Sequence, residues 1–377
     1  MRVGLDATPL LGTLTGVGRY VAGLVGGLAA LAALDEVVLV PFSWRGTADL
    51  PAAAPAGPGL RCGRRRAPAR LLQAAWARWE WPPVEWLAGR VEVFHATNFV
   101  APPARRAAGV LTVHDLTYLR YPELVSGASA RYRRLVPRGL ARARVVCTPT
   151  AAVAAELADA YRLPAERVVV TPMAVGPLWH RARPPEPVWL AARDLPERYL
   201  LFVGSLEPRK GLPVLVAAYR QLRASLPDAP ALVLAGPPGW GQALDLSGLP
   251  EGAFRLPGYL DTAELARLVA GAALFVFPSL YEGFGIPPLE ALACGTPVVA
   301  SDLPATREVL GGHAVFVPAG DAAALAGGLA AALADADGQA RAGGAQARAA
   351  RRAHAAQFTW ERCAAATLAA YRRALAP

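Results

Sequence analysis

The sequence predicts an α/β protein built from two doubly wound parallel sheets in series. Three observations carry that prediction. Short apolar strand candidates alternate with helical stretches along the whole chain, the pattern of parallel sheets covered on both faces. At residues 199–212 and 273–290 an apolar strand runs straight into a Gly- and Pro-containing loop that opens a helix. The 377 residues exceed what one ordinary core accommodates and fit two domains of about 190 residues each.

In chain order, the first half offers strands at Val3 to Leu5, Val37 to Val40, Val91 to Phe94, Val110 to Val113, Val145 to Cys147 and Val168 to Val170. The apolar run from Val21 to Leu34 reads as a core helix, because a membrane-spanning one needs about 20 residues. Asp6 and Arg19 argue against a signal peptide. Pro172, Pro177, Pro184, Pro185, Pro187 and Pro196 mark residues 172–196 as an interdomain linker. The second half offers strands at Tyr199 to Val203, Ala231 to Leu234, Ala273 to Phe277, Val298 to Ala300 and Val315 to Val317. Residues 321–350 are nearly all Ala, Gly, Arg and Asp and read as helix; Asp335 and Asp337 stand two apart, too far around a helix to ligate one metal together. The segment from Phe358 to Tyr371 reads as a capped amphipathic helix. The expected domains are 1–180 and 181–355, followed by a terminal helix at 356–377. Doubly wound sheets bind ligands at the carboxyl ends of their strands, so the crevice between the domains is the expected site.

Hydrophobic residues make up 54% of the chain and charged ones 18%, a composition that excludes a disordered protein. Cys62, Cys147, Cys294 and Cys363 have no Cys-x-x-Cys spacing, so neither a zinc site nor a disulfide framework is indicated and a reducing cytoplasm is expected. The charge is unevenly placed. Residues 1–185 hold 23 Arg against 12 Asp and Glu, net +11, whereas residues 186–377 hold 16 Lys and Arg against 17 Asp and Glu, net −1. A polyanion, nucleic acid or an anionic lipid surface, fits the first half, and so does plain Arg-rich solubility.

The most informative stretch is Ser279-Leu280-Tyr281-Glu282-Gly283-Phe284-Gly285-Ile286-Pro287-Pro288-Leu289-Glu290. Gly283 and Gly285 let backbone approach a ligand, the prolines pre-set the first helical turn, and the uncovered N–H groups there attract phosphate. Glu282 and Glu290 frame the turn. Carboxylates repel phosphate and suit hydroxyl groups, so a phosphate flanked by polyols, a nucleotide sugar, fits this order of parts.

Glu282 and Glu290, with the seven residues Gly-Phe-Gly-Ile-Pro-Pro-Leu between them, resemble the signature of retaining glycosyltransferases of family 4, which have the GT-B fold. The resemblance implies two Rossmann-like domains facing a cleft and a C-terminal helix that crosses back to the first domain. It also implies roles: Glu282 contacts the donor sugar, Glu290 the ribose hydroxyls, and the backbone of Phe284, Gly285 and Ile286 the diphosphate. Gly204-Ser205-Leu206-Glu207-Pro208-Arg209-Lys210-Gly211 follows another strand and resembles the family's Arg-Lys-Gly loop, whose lysine neutralises the leaving diphosphate. Lys210 is the only lysine in the chain, in a composition that otherwise uses Arg for its cations. Gly204 and Ser205 count among the donor contacts. Many members carry Arg where this chain has Ser205, and Arg209 is the candidate to compensate.

In the first domain, Thr15-Gly16-Val17-Gly18-Arg19-Tyr20 lacks the third glycine of a dinucleotide fingerprint but resembles the family's Gly-rich loop, making Gly16 and Gly18 candidate donor contacts. His114 and Asp115 end a strand at the edge expected to face the cleft. There a histidine can bind a sugar hydroxyl and an aspartate can orient the acceptor or take its proton. His95, at the end of the preceding strand, reads as cleft-lining or structural. No ligand spacing demands a metal among His95, His114 and Asp115, and members of this type need none.

The resemblance thus implies retaining transfer of a hexose, with mannose from GDP-mannose the best match, to a glycan or lipid-linked acceptor in bacterial surface polysaccharide synthesis, without metal or cofactor. Retention would follow front-face displacement, the leaving phosphate taking the acceptor proton. Two other classes are weighed against it: a nucleotide-sugar epimerase or hydrolase of the same fold, and a nucleic-acid binder. The second lacks aromatics interleaved with its Arg runs. Finally, Arg61, Arg64, Arg65, Arg66 and Arg70 precede Trp76, Trp79, Trp81 and Trp86, which suits peripheral docking on the inner face of the plasma membrane or, for Trp76 and Trp79 at helical spacing, burial in the core.

Overall fold

A computed structural model describes residues 1–376 except 13, 15, 45–49, 51–58, 64, 66, 242, 243, 342 and 343. Thr15 of the Gly-rich loop and Arg64 and Arg66 of the basic run therefore lie outside the described residues. The chain divides into two compact units, Met1–Ala174 with Phe358–Pro377, and Val175–Gln357.

The first unit is a seven-stranded, all-parallel sheet in the order β3-β2-β1-β4-β5-β6-β7. Its strands are β1 (Arg2–Asp6), β2 (Glu36–Val40), β3 (Leu60–Cys62), β4 (Val93–Ala96), β5 (Ala108–Thr112), β6 (Ala143–Thr148) and β7 (Val168–Val170). β1 lies between β2 and β4, which makes its carboxyl end the point where the strand order reverses. Helix α1 (Gly16–Leu31) follows β1, α2 (Ala69–Trp76) follows β3, and α3 (Tyr132–Arg142) precedes β6. The edge strand β3 escapes the sequence reading because Leu-Arg-Cys is short, contains a charge, and is exposed at Arg61 and Cys62.

The second unit is a six-stranded parallel sheet in the order β10-β9-β8-β11-β12-β13. Its strands are β8 (Tyr199–Val203), β9 (Ala231–Ala235), β10 (Phe254–Gly258), β11 (Leu274–Phe277), β12 (Val298–Ser301) and β13 (Val315–Val317). β8 leads to α4 (Leu212–Ser225) and β11 to α5 (Ile286–Cys294). β10 also escaped the sequence reading: Pro257 cannot donate to a ladder, so this strand is tolerated only at the edge where it sits. The boundary between the units, Ala174 to Val175, falls inside the Pro-rich stretch expected as a linker, and the rest of that stretch belongs to the second unit. Its helices Pro177–Arg181 and Pro187–Ala191 each start on a proline and bury Trp179 and Leu190. In the low-information region, Ala322–Arg341 is one helix, whose Leu325, Leu329 and Leu333 enter the core at a four-residue repeat. Asp337 there takes a bidentate pair from Arg198, at 2.7 and 2.8 Å.

The terminal helix α6 (Trp360–Leu375) leaves the second unit and packs on the first, capped by Thr359, whose hydroxyl accepts from the Arg362 N–H. It lies against the small-residue face of α1. A Cβ on Gly23 would stand 2.1 Å from the Trp360 ring, and one on Gly27 would stand 2.4 Å from the Trp360 carbonyl. Behind this contact His95 is fully buried, with Nδ1 2.8 Å from the Tyr371 hydroxyl and Nε2 2.7 Å from Thr112 Oγ1. Burial pushes the imidazole down to about 3, so it stays neutral. His95 is therefore a satisfied core residue that ties the last helix to the sheet. Tyr371→Phe leaves the ring nitrogen without its partner and is expected to cost about 1–3 kcal/mol in denaturant unfolding; an unchanged midpoint and slope would show the hydroxyl to be dispensable.

The tryptophans split. Trp76 is 1% exposed, with Nε1 donating to the Pro82 carbonyl at 2.9 Å, and it belongs to the core. Trp79, Trp81 and Trp86 are exposed. Of the basic run, Arg61 pairs with Glu36, and Arg65 lies over the Trp86 ring with its carbon 5.0 Å from the centroid.

Candidate active site

β8 and β11 are neighbours in the sheet, so the loops that leave their carboxyl ends meet. The contact is backbone on backbone. Gly211, at φ +67° between Lys210 and α4, passes so close to residue 278 that a Cβ would stand 2.0 Å from the Pro278 carbonyl oxygen, and the Leu280 N–H donates to the Arg209 carbonyl at 2.8 Å. A side chain at 211 is excluded both by the left-handed conformation and by space. Gly211→Ala is accordingly expected to cost several kcal/mol, roughly the upper range for single substitutions, in calorimetric melting; a loss of under about 1 kcal/mol would mean that the two loops separate at little cost.

This junction brings Glu282, Arg209 and Lys210 together. Lys210 Nζ donates to Glu282 Oε1 at 2.7 Å, and an Arg209 terminal nitrogen lies 2.9 Å from Oε2. The other end of the guanidinium donates to Glu207 Oε1 at 2.8 Å, and Glu207 Oε2 accepts from the Ser205 hydroxyl at 3.0 Å. Arg209 also donates to the Tyr281 carbonyl at 2.9 Å. Glu207 and Lys210 are buried, and the Glu282 side chain is 8% exposed. Burial works to raise Glu282, but Arg209 and Lys210 outweigh it and hold the carboxyl at about 2. Burial lowers Lys210, opposed chiefly by Glu282. The Phe277 ring lies 5.1 Å from the ammonium. The site is thus two cations and two carboxylates in a line, already charge-balanced.

Glu207 was missed in the sequence, where the loop's Arg209 and Lys210 were assigned roles and the carboxylate before them was not. Its signal was position: a carboxylate four residues past a fully buried strand end, in the same loop as the two cations. Ser205 sits where many family members have Arg, and it serves the line through Glu207, leaving Arg209 as the guanidinium that reaches Glu282.

Gly285 turns the chain at φ +92° into α5, whose second and third residues are Pro287 and Pro288. Phe284 and Ile286 are buried beside it, so their main-chain groups, with that of Gly285, stand at a helix N-terminus one turn beyond Glu282. Glu290 is 4% exposed on a helix buried almost throughout, which rules out a solvated surface charge. Gly204, at the end of β8, has its carbonyl so close to Gly236 that a Cβ there would stand 2.0 Å away.

The remaining candidates belong to the first unit. Gly16 opens α1 into free space, whereas Gly18 faces its own loop: a Cβ would stand 2.6 Å from the Pro9 carbonyl. That close approach requires a glycine at 18. His114 Nε2 lies 2.8 Å from the Thr97 carbonyl, which can only accept, so the proton is on Nε2. Nδ1 is then a bare, buried acceptor without a hydrogen-bond partner among the described residues. Burial lowers this imidazole, and Tyr20 and Phe99 pack edge-on against it. Asp115 accepts from the Thr117 N–H at 2.9 Å, a local turn that starts the helix Thr117–Arg120.

A different group converges at the switch point of the first sheet. A cavity of about 270 Å³ is lined by Asp6, Thr8, Phe42, Gln73, Asn98 and Tyr132, among others. Burial pushes Asp6 up to about 6, against hydrogen bonds from Thr8, one of them the Thr8 N–H at 2.9 Å. Gln73 Oε1 is buried without a partner among the described residues. Nothing in the sequence pattern joined these residues, since they come from five separate segments of the chain. Among the described residues no three His, Cys, Asp or Glu side chains gather as metal ligands.

Two doubly wound parallel units in series, the second holding an Arg-Lys loop against a Glu-x7-Glu turn, define a glycosyltransferase of the GT-B class. The chain belongs to the group 1, family 4 glycosyltransferases: the family model for glycosyl transferases group 1 matches residues 197–335, and that for glycosyltransferase family 4 matches residues 14–177. It is 30% identical over 395 aligned positions to O-antigen chain mannosyltransferase B of Escherichia coli, covering 99% of this chain and 100% of that one. Among solved structures, sucrose-phosphate synthase from Thermosynechococcus elongatus matches with a TM-score of 0.72 at 21% identity over 99% of this chain and 98% of that one. Anabaena HepE in complex with UDP-glucose matches with a TM-score of 0.67 at 19% identity over 98% of this chain and 99% of that one.

Proposed function

We propose that this chain transfers a hexose, mannose from GDP-mannose, to a hydroxyl of a glycan or lipid-linked acceptor in surface polysaccharide synthesis, with retention at the anomeric carbon. The observation that carries the reading is the line of ion pairs joining Glu207, Arg209, Glu282 and Lys210 beside the N-terminus of α5. The full-length likeness to an O-antigen mannosyltransferase supports the sugar, and the UDP-glucose bound by the Anabaena neighbour supports a nucleotide-sugar donor.

The chemistry follows from exchange of partners. In the free protein Glu282 neutralises both cations. A donor diphosphate at the helix N-terminus takes over Lys210 and Arg209 as its counter-charges, and the released Glu282 carboxylate accepts from sugar hydroxyls. As the bond to the anomeric carbon breaks, negative charge grows on the leaving phosphate, where the two cations and the helix N-terminus already point, and that phosphate oxygen takes the acceptor proton. Glu290 holds the ribose hydroxyls.

Hydrolysis and transfer measured over a panel of nucleotide sugars, with the anomeric configuration of the product read by NMR, test the reading. GDP-mannose is expected to be the fastest donor, with retained configuration. Isomerised donor formed without acceptor would instead favour an epimerase, and inverted product would remove the mechanism. Because the cations and the helix supply the counter-charge, transfer is expected to survive excess chelator; activity lost and then restored by magnesium or manganese would overturn that. Glu290→Gln is expected to raise the donor KM about tenfold with little change in kcat, since a neutral amide accepts weaker hydrogen bonds from the ribose. An unchanged KM would remove Glu290 from the donor site.

A further inference from the structure

Beside the switch-point cavity of the first unit, and sharing Gln73 with it, runs a groove of about 600 Å³ between α2 and α3. Arg70 and Arg78 stand on one wall and Arg131, Arg134 and Arg138 on the other, with Ala74, Ala77 and Leu135 between them. Among the described residues no acidic side chain lines it. All five arginines are exposed, and none enters an ion pair among the described residues, whereas neighbouring Arg120 and Arg142 pair with Glu156 and Glu80.

Arg131, Arg134 and Arg138 recur at the spacing of one helix face, with Leu135 on the same face. Five uncompensated cations around a low-dielectric floor focus a positive potential into the groove and select an anion. The floor narrows the choice. A free phosphate has no use for apolar walls, and a nucleic acid needs aromatic platforms, of which the groove has none among the described residues. Leu71 and Trp79, next in the chain to Arg70 and Arg78, are 67% and 63% exposed, apolar surface that suits the headgroup boundary of a lipid layer.

We propose that the α2–α3 groove binds an anionic amphiphile, its phosphate held by the five arginines and the start of its alkyl chain lying on Ala74, Ala77 and Leu135. Resting on the reading above, this makes the acceptor a sugar carried on a lipid phosphate, with the sugar directed through Gln73 into the cavity of Asp6, Asn98 and Tyr132. The role differs from that expected for the run at residues 61–66, of which Arg61 and Arg65 already have partners.

Calorimetric titration of the full chain with dodecyl phosphate, inorganic phosphate and octyl glucoside tests it. Dodecyl phosphate is expected to bind at least about tenfold more tightly than either of the others, and the Arg131→Gln, Arg134→Gln, Arg138→Gln triple variant to lose about tenfold on dodecyl phosphate while binding GDP unchanged. Should the triple variant not fold, Arg70→Gln with Arg78→Gln on the opposite wall is read in the same way. Inorganic phosphate binding as tightly as the alkyl phosphate, a variant that matches wild type, or a random single-stranded oligonucleotide that displaces dodecyl phosphate more strongly than dodecyl phosphate itself binds would each overturn the proposal. A chain that binds dodecyl phosphate but no nucleotide sugar would keep the groove and remove the donor reading; the reverse result would do the opposite.

Discussion

Lys210→Met is expected to lower the turnover of sugar transfer by about one to two orders of magnitude, about 1.4 to 2.7 kcal/mol, while donor affinity falls much less. The ammonium is buried, 2.7 Å from Glu282 and over the Phe277 ring, so methionine of similar length fits the same space against the same ring. What the variant loses is a cation fixed where charge grows on the leaving phosphate. In a site that excludes water such a group costs no reorganisation during the reaction, so its removal appears in kcat more than in KM. Lys210→Arg is an informative companion. A planar fork cannot occupy the compact position of the ammonium while Arg209 already reaches Glu282, so charge without shape is expected to restore only part of the rate. Steady-state kinetics on the best donor, with melting curves to confirm folding, measure both. A Met variant that turns over like wild type would remove Lys210 from the chemistry.

What could be read from the sequence was whatever repeats along a strand or sits within one loop. The alternation of apolar runs gave the sheets, and the two strand-to-helix junctions gave Glu282, Gly285, Glu290 and Lys210, because each junction is contiguous in the chain. That the junctions touch was not legible: it depends on β8 and β11 being neighbours in a sheet order that sequence does not state. Glu207 stayed hidden for the same reason, since its meaning comes from Arg209 being shared with Glu282 across the junction. The edge strands β3 and β10 lack the double-sided burial that makes central parallel strands apolar. In the first unit, pattern placed His114 and Asp115 at a strand end correctly. Their partners, a carbonyl at Thr97 and the N–H of Thr117, are main-chain groups that no motif announces. The cavity residues Asp6, Gln73, Asn98 and Tyr132 are brought together only by the fold, at the point where the strand order reverses.

Glu282→Gln is expected to destabilise the free protein by about 3 kcal/mol at pH 7, because it leaves Arg209 and Lys210 side by side without their shared carboxylate. The size follows from the depression of its carboxyl from the ordinary value of 4.5 to about 2. A carboxylate whose folded pKa is depressed contributes stability that is fully present above its unfolded value and is lost as pH falls toward the folded one. The gap between wild type and Glu282→Gln should therefore hold from neutral pH down to about 4.5 and close between about 4.5 and 2. Donor-side ligands add a second sign. If a diphosphate replaces the carboxylate as counter-charge, GDP should raise the melting temperature of the variant more than that of wild type, because in wild type it must first displace Glu282 from both cations. Turnover should still fall, since an amide cannot take up the sugar hydroxyls with the same strength. Scanning calorimetry of both proteins from pH 3 to 8, with and without GDP, provides the measurement. Equal melting temperatures at neutral pH would contradict the buried ion pairs, and equal GDP shifts would contradict the exchange of partners on which the proposed mechanism depends.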